Sequence, residues 1–141
     1  MATLQLNAAA MAEALAAFQT HHAALPQVWG RVDCCLVLAD WAVWLGHPDP
    51  AADLRGSYHS EEGCRAIVAA AGGLNPLLTV CAARIAWPAS DHPSVGAVGI
   101  IGSPVIVNRQ WGAIWDGRHW CVRLADGFVP FTARPFAIWS R

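Results

Sequence analysis

The chain has 141 residues, 55% of them apolar and 13% charged, with a net charge of −1. That length fits one domain with a substantial core. Its nine basic residues are all arginine and lie scattered from Arg31 to Arg141, so no phosphate-tracking stripe exists and nucleic-acid binding is not expected.

The charged share is well under the usual figure of about 25%, which leaves little polar surface for a lone monomer and points to partner proteins. Eight tryptophans add to that expectation, because Trp anchors interfaces, although the same residues also fill small cores. The longest apolar runs, 34–45 and 95–107, fall short of the roughly 20 residues that a membrane-spanning helix needs. The N-terminal segment carries no basic stretch ahead of an apolar one, and Glu13 interrupts its alanines, so no signal peptide is expected. Five cysteines at irregular spacings, with no CxxC and no histidines at zinc-ligand intervals, argue against a disulfide framework or a structural metal. No cofactor is expected.

From Asn7 to about Thr20 the chain is rich in strong helix formers, with Asn7 as N-cap and Pro26 as a stop. Asp33 is a good N-cap for a second helix over 34–45, apolar nearly all round and therefore buried, with Gly46 in the left-handed turn that ends it. His47-Pro48-Asp49-Pro50 cannot continue a helix, and 51–58 reads as a short turn or helical piece ending at Gly56. Ser60, with Glu61 and Glu62 in the first turn, starts a third helix over 64–71 that Gly72-Gly73 closes. Asn75-Pro76 starts a fourth, running to about Ile85.

After Pro88 the pattern changes to short apolar or alternating runs at 95–101, 105–107, 111–115, 120–124, 128–131 and 137–140. Gly102-Ser103-Pro104, Asp116-Gly117, Asp126-Gly127 and Arg134-Pro135 separate them as turn signals. A helical half, about 1–88, followed by a sheet half, about 93–141, predicts one α+β domain in which the helices pack on an antiparallel sheet or small barrel.

A thiol in the first turn of a helix lies near unpaired N–H groups and the positive end of the helix dipole, which favour thiolate. Cys34 takes that position. Cys35 is expected to point about 100° away and to pack in the core, so that the two thiols do not share a cleft. Asp40 interrupts the apolar helix and requires a partner, for which Arg55 in the 48–58 loop is the candidate.

Trp29-Gly30-Arg31-Val32-Asp33-Cys34-Cys35, Ala39-Asp40-Trp41 and the stretch from Gly46 to Tyr58 together resemble the NlpC family of papain-like cell-wall peptidases. The resemblance is closest to a group of small NlpC-like proteins of phages and prophages. Gly72-Gly73, the 95–101 strand, Gly112-Ala113-Ile114 and Ala137-Ile138-Trp139 carry it weakly across the rest of the chain. It implies a papain-like fold with Cys34 at the head of a helix packed across a sheet. It also implies association with other tail or tail-tip proteins, a place in the virion tail or in the bacterial cytoplasm before assembly, and peptidoglycan peptides as the family's substrates. Trp29, Asp33, Asp40, Arg55 and Tyr58 take structural positions in it.

Two positions depart from the family pattern. Trp111 stands where active members carry the histidine base, and Gly96-Ala97-Val98 lacks the usual acidic residue. His119, just past the Asp116-Gly117 turn, is the first substitute base and His92, in the loop before the sheet, the second. Two functions follow: a tail component that has kept the fold without the chemistry, or a cysteine peptidase with Cys34 as nucleophile and helix-start N–H groups as oxyanion donors.

Overall fold

The computed structural model describes residues 6–140. Four helices, α1 (Ala8–Ala23), α2 (Leu36–Trp44), α3 (Glu61–Ala70) and α4 (Leu74–Arg84), precede five strands. These are β1 (Val98–Gly102), β2 (Gln110–Trp115), β3 (Trp120–Leu124), β4 (Gly127–Phe131) and β5 (Ala137–Trp139). The fold is α+β, with one antiparallel sheet in the order β4-β3-β2-β1-β5. The β2–β3 and β3–β4 hairpins follow the Asp-Gly signals, and β5 adds to the far side of β1, with Val98 opposite Trp139.

Local chemistry explains the helix ends. The Asn7 side chain accepts from the Ala10 N–H at 2.8 Å and Ser60 accepts from the Gly63 N–H at 3.0 Å, so both caps work as the sequence predicts. Gly46 takes φ +97°, the left-handed turn that closes α2. The third helix starts at Glu61, directly after its cap, three residues before the expected Cys64.

Two expectations need correction. The run 105–107 is not a strand: Pro104 interrupts pairing, Ser103 accepts from the Ile106 N–H at 2.9 Å, and a 3-10 turn over Val107–Arg109 leads into β2. The second helix runs from Leu36 instead of Cys34, although Asp33 caps it as expected, its carboxylate accepting from the Cys35 and Leu36 N–H groups and its carbonyl from the Val37 N–H at 3.1 Å.

The core lies between the helices and one face of the sheet, where Leu15, Phe18, Trp41 and Leu45 meet Val98, Ile100, Ile114 and Trp139. Gly112 lets α2 lie directly on β2, since a Cβ there would stand 2.5 Å from Leu38 Cδ1. The opposite face buries Ala97, Ile101, Ala113, Trp120 and Val122, with Trp115 packed beside Trp120. At one sheet edge, β4 places Pro130 opposite Cys121 and leaves Val129 and Phe131 exposed. Among the described residues no single helix is long and apolar enough to cross a membrane.

Candidate functional site

Asp33 organises the head of α2. Its carboxylate is almost completely buried and accepts four hydrogen bonds: from the N–H groups of Gly30 (2.9 Å), Cys35 (3.0 Å) and Leu36 (2.8 Å) and from the Tyr58 hydroxyl (2.6 Å). Burial, reinforced by that carboxylate, pushes the Tyr58 phenol far above its ordinary pKa, so it remains a donor to Asp33. Gly30 takes φ +84°, and a Cβ there would collide with the Tyr58 carbonyl, while its own carbonyl accepts from the Gly56 N–H at 2.9 Å. The Trp29-Gly30 turn and the 48–58 segment are thereby locked together.

This scaffold presents Cys34 and Cys35 in the turn before α2, both half-buried. They line the same cavity of about 120 Å³, together with Trp29, Cys64, Gln110 and Trp111. The expectation that Cys35 points away from the Cys34 cleft is therefore wrong. Cys35 borders a second, apolar cavity on the core side as well, so it faces both ways from the head of α2. Glu61 and Arg65, paired at 2.9 Å on α3, also border the cavity, as does Asn108 from the loop before β2.

Cys35 Sγ lies 3.6 Å from Cys64 Sγ. Hydrogen bonds with the Cys34 and Cys64 thiols, then burial, push the Cys35 thiol up; the bond from Cys35 draws the Cys64 thiol down against its own burial. Cys64 had no distinguishing mark in the sequence beyond its helical position, so its place beside Cys35 emerges only in three dimensions.

Among the described residues no histidine lines this cavity. Trp111 stands at the start of β2, about 40% exposed. Both candidate bases sit toward the other end of that strand. His119 follows the β2–β3 turn, with its N–H bound to Asp116 Oδ1 at 2.6 Å. His92 occupies the loop ahead of β1, whose continuation pairs Gly96 N–H with the Trp115 carbonyl at 2.8 Å. At a rise of about 3.3 Å per residue, the span from Trp111 to Trp115 alone is roughly 13 Å. Of the helix-start N–H groups expected as oxyanion donors, those of Cys35 and Leu36 are engaged by Asp33.

Asp40 does meet Arg55, at 2.7 Å, but it is half-buried and has a second partner. His22 Nε2 lies 2.8 Å from Asp40 Oδ2, and His22 Nδ1 accepts from Arg123 Nε at 3.1 Å. An arginine Nε can only donate, so Nδ1 presents its lone pair and the Nε2–H of the imidazole points at Asp40. The buried Arg123 guanidinium also donates to the carbonyls of His22, Leu25, Leu124 and Ala125, which gathers the C-terminal end of α1 onto β3. A charged residue inside the apolar strand Trp120-Cys121-Val122-Arg123-Leu124 was a signal for this cluster, of the kind that singled out Asp40.

A family model, described as a domain of unknown function (DUF6950), matches residues 8–139. The chain belongs to the DUF6950 family. No curated protein and no solved structure matches this DUF6950 chain. Among its described residues no three His, Cys, Asp or Glu side chains converge in a metal-ligating group.

Proposed function

We propose that this DUF6950 protein has an NlpC-type, papain-like fold and serves as a component of a phage or phage-like tail, at the tip or hub or during assembly, with its cysteine site stripped of a general base. The carrying observation is the Cys34 cavity, walled by Trp111 and free of histidine. An indole N–H donates hydrogen bonds but cannot take the proton of a thiol, and its ring has no proton to return to a leaving amine. General acid–base catalysis contributes about 100- to 10,000-fold, so its loss removes useful turnover even if the thiol stays nucleophilic.

The order of elements supports the fold assignment: a helix headed by the cysteine, packed on an antiparallel sheet whose second strand begins at the base position. Exposed apolar side chains beside the site, Val105, Ile106 and Trp111, suit contacts with neighbouring subunits better than a solvent-filled substrate cleft does.

Two measurements test the reading. Iodoacetamide at pH 6 should label Cys34 no faster than an unactivated, half-buried thiol; selective rapid labelling together with cleavage of peptidoglycan peptides would establish the peptidase instead. Purified particles should contain the chain in fixed stoichiometry, and its absence from them would overturn the tail role.

A further inference from the structure

The cavity that holds Cys34 shares a wall with a second, almost wholly apolar cavity of about 70 Å³ between α2, α3, α4 and the sheet; Cys35, Cys64 and Val68 line both. Two thiols therefore stand side by side in a partition, one carried by the turn before α2 and the other by the first turns of α3. Neither is used by the proposed function. From their juxtaposition we propose that Cys35 and Cys64 form a reversible dithiol–disulfide couple, oxidised by small hydroperoxides that enter through the Cys34 cavity. The inference does not rest on the tail assignment.

Geometry favours this combination. The sulfurs are 3.6 Å apart, so a bond of about 2.05 Å requires an approach of roughly 1.5 Å, within the reach of side-chain rotation on a residue outside regular helix. A Cys34–Cys35 bridge is disfavoured, because neighbouring Cα atoms are held about 3.8 Å apart, below the usual disulfide range of about 4.4–6.8 Å. Cys121 Sγ is directed to Asp116 Oδ2 at 3.5 Å, and Cys81 lies in the apolar cavity on α4.

The chemistry assigns an order. Cys64 is the attacking sulfur, since the hydrogen bond from Cys35 favours its thiolate. Its sulfur takes the terminal oxygen of ROOH, the O–O bond breaks, and the proton lost from Cys64 leaves with RO⁻ as ROH, giving Cys64 sulfenic acid. The Cys35 sulfur then displaces hydroxide from that sulfenic sulfur, and the Cys35 proton leaves with it as water. Two electrons pass from the sulfurs to the peroxide, and an external thiol reverses the bridge. The product ties α3 to the head of α2 across the partition between the cavities.

Intact and peptide-resolved mass spectrometry of the full chain, treated with hydrogen peroxide and then with dithiothreitol, tests this directly. The expected result is loss of two hydrogens, a Cys35–Cys64 cross-linked peptide, and full recovery on reduction. The cross-link should persist in Cys34→Ser, Cys81→Ser and Cys121→Ser and vanish in Cys35→Ser and Cys64→Ser. Wild-type mapping needs no variant to fold. A cross-link joining any other cysteines, or stepwise oxygen addition to sulfinic and sulfonic acid without a cross-link, would overturn the proposal.

Discussion

Replacing Asp33 with alanine tests whether one carboxylate holds the site together. The substitution removes the acceptor for the Cys35 and Leu36 N–H groups, a helix-cap loss of about 1 kcal/mol, and it orphans the Gly30 N–H and the Tyr58 hydroxyl. A buried donor left without a partner costs about 1–3 kcal/mol, and water has little access here because Asp33 is 1% exposed. The variant is expected to lose about 4 kcal/mol, read as a fall in Tm on the order of 15 °C for a chain of this size. Asp33→Asn should lose about half as much. Its oxygen keeps the α2 cap and its amide can donate to the Tyr58 oxygen, but the Gly30 N–H then faces another donor. Urea titrations of Asp33→Ala, Tyr58→Phe and the double variant should give a coupling of about 1–2 kcal/mol. If Asp33→Ala unfolds within about 1 kcal/mol of wild type, the carboxylate does not hold the cap and this account of the site fails.

Asp40→Ala should cost about 2–4 kcal/mol by orphaning the buried His22 N–H and leaving Arg55 held by Asp49 alone, and a thermal melt superimposed on wild type would contradict it. Arg123→Met should also destabilise, by about 3 kcal/mol, with the carbonyls at the end of α1 losing their donor; unchanged denaturant midpoints would dissociate that contact from stability. Gly30→Ala should prevent folding or lower the urea midpoint severely, whereas Gly56→Ala, at φ +72° with open space around it, should cost only about 1–2 kcal/mol; equal losses would show that the Tyr58 carbonyl is not the obstacle. Burial opposes ionisation of Asp49, but hydrogen bonds from Arg55 and the Ala51 N–H outweigh it and hold its pKa below the ordinary value. A depressed carboxyl contributes stability above its unfolded pKa of about 3.9 and loses it as pH falls through the folded value. Stability should therefore drop more steeply below about pH 4 in wild type than in Arg55→Ala, and parallel slopes would refute the linkage.

The elements that local chemistry dictates were legible in the sequence. Asn7, Ser60, Gly46 and the Asp-Gly turns act within a few residues of themselves, so their effects survive translation from sequence to structure. The Asp40–Arg55 contact was also readable, because a carboxylate in an apolar helix needs a cation and the neighbouring loop offered one. The start of α2 was placed two residues early: an aspartate can cap a helix directly or through an intervening turn, and the sequence is the same in both cases. The His22–Arg123 contact joins residues 101 positions apart and leaves no local trace beyond the charge itself. His119 and His92, the first and second substitute bases on the sequence, lie by the Trp115 end of β2, a placement that follows from strand direction and register.

The edge strand β4 limits how this protein can join others. Proline in an edge strand turns its N–H-less side outward, so Pro130 interrupts the row of donors that an incoming strand would need. Val129 and Phe131 on the same strand are exposed and adhesive, yet the backbone beside them cannot continue the sheet. Contacts made there must be side chain to side chain, which permits docking to a neighbour while blocking the open-ended strand stacking that turns a sticky sheet into a fibre.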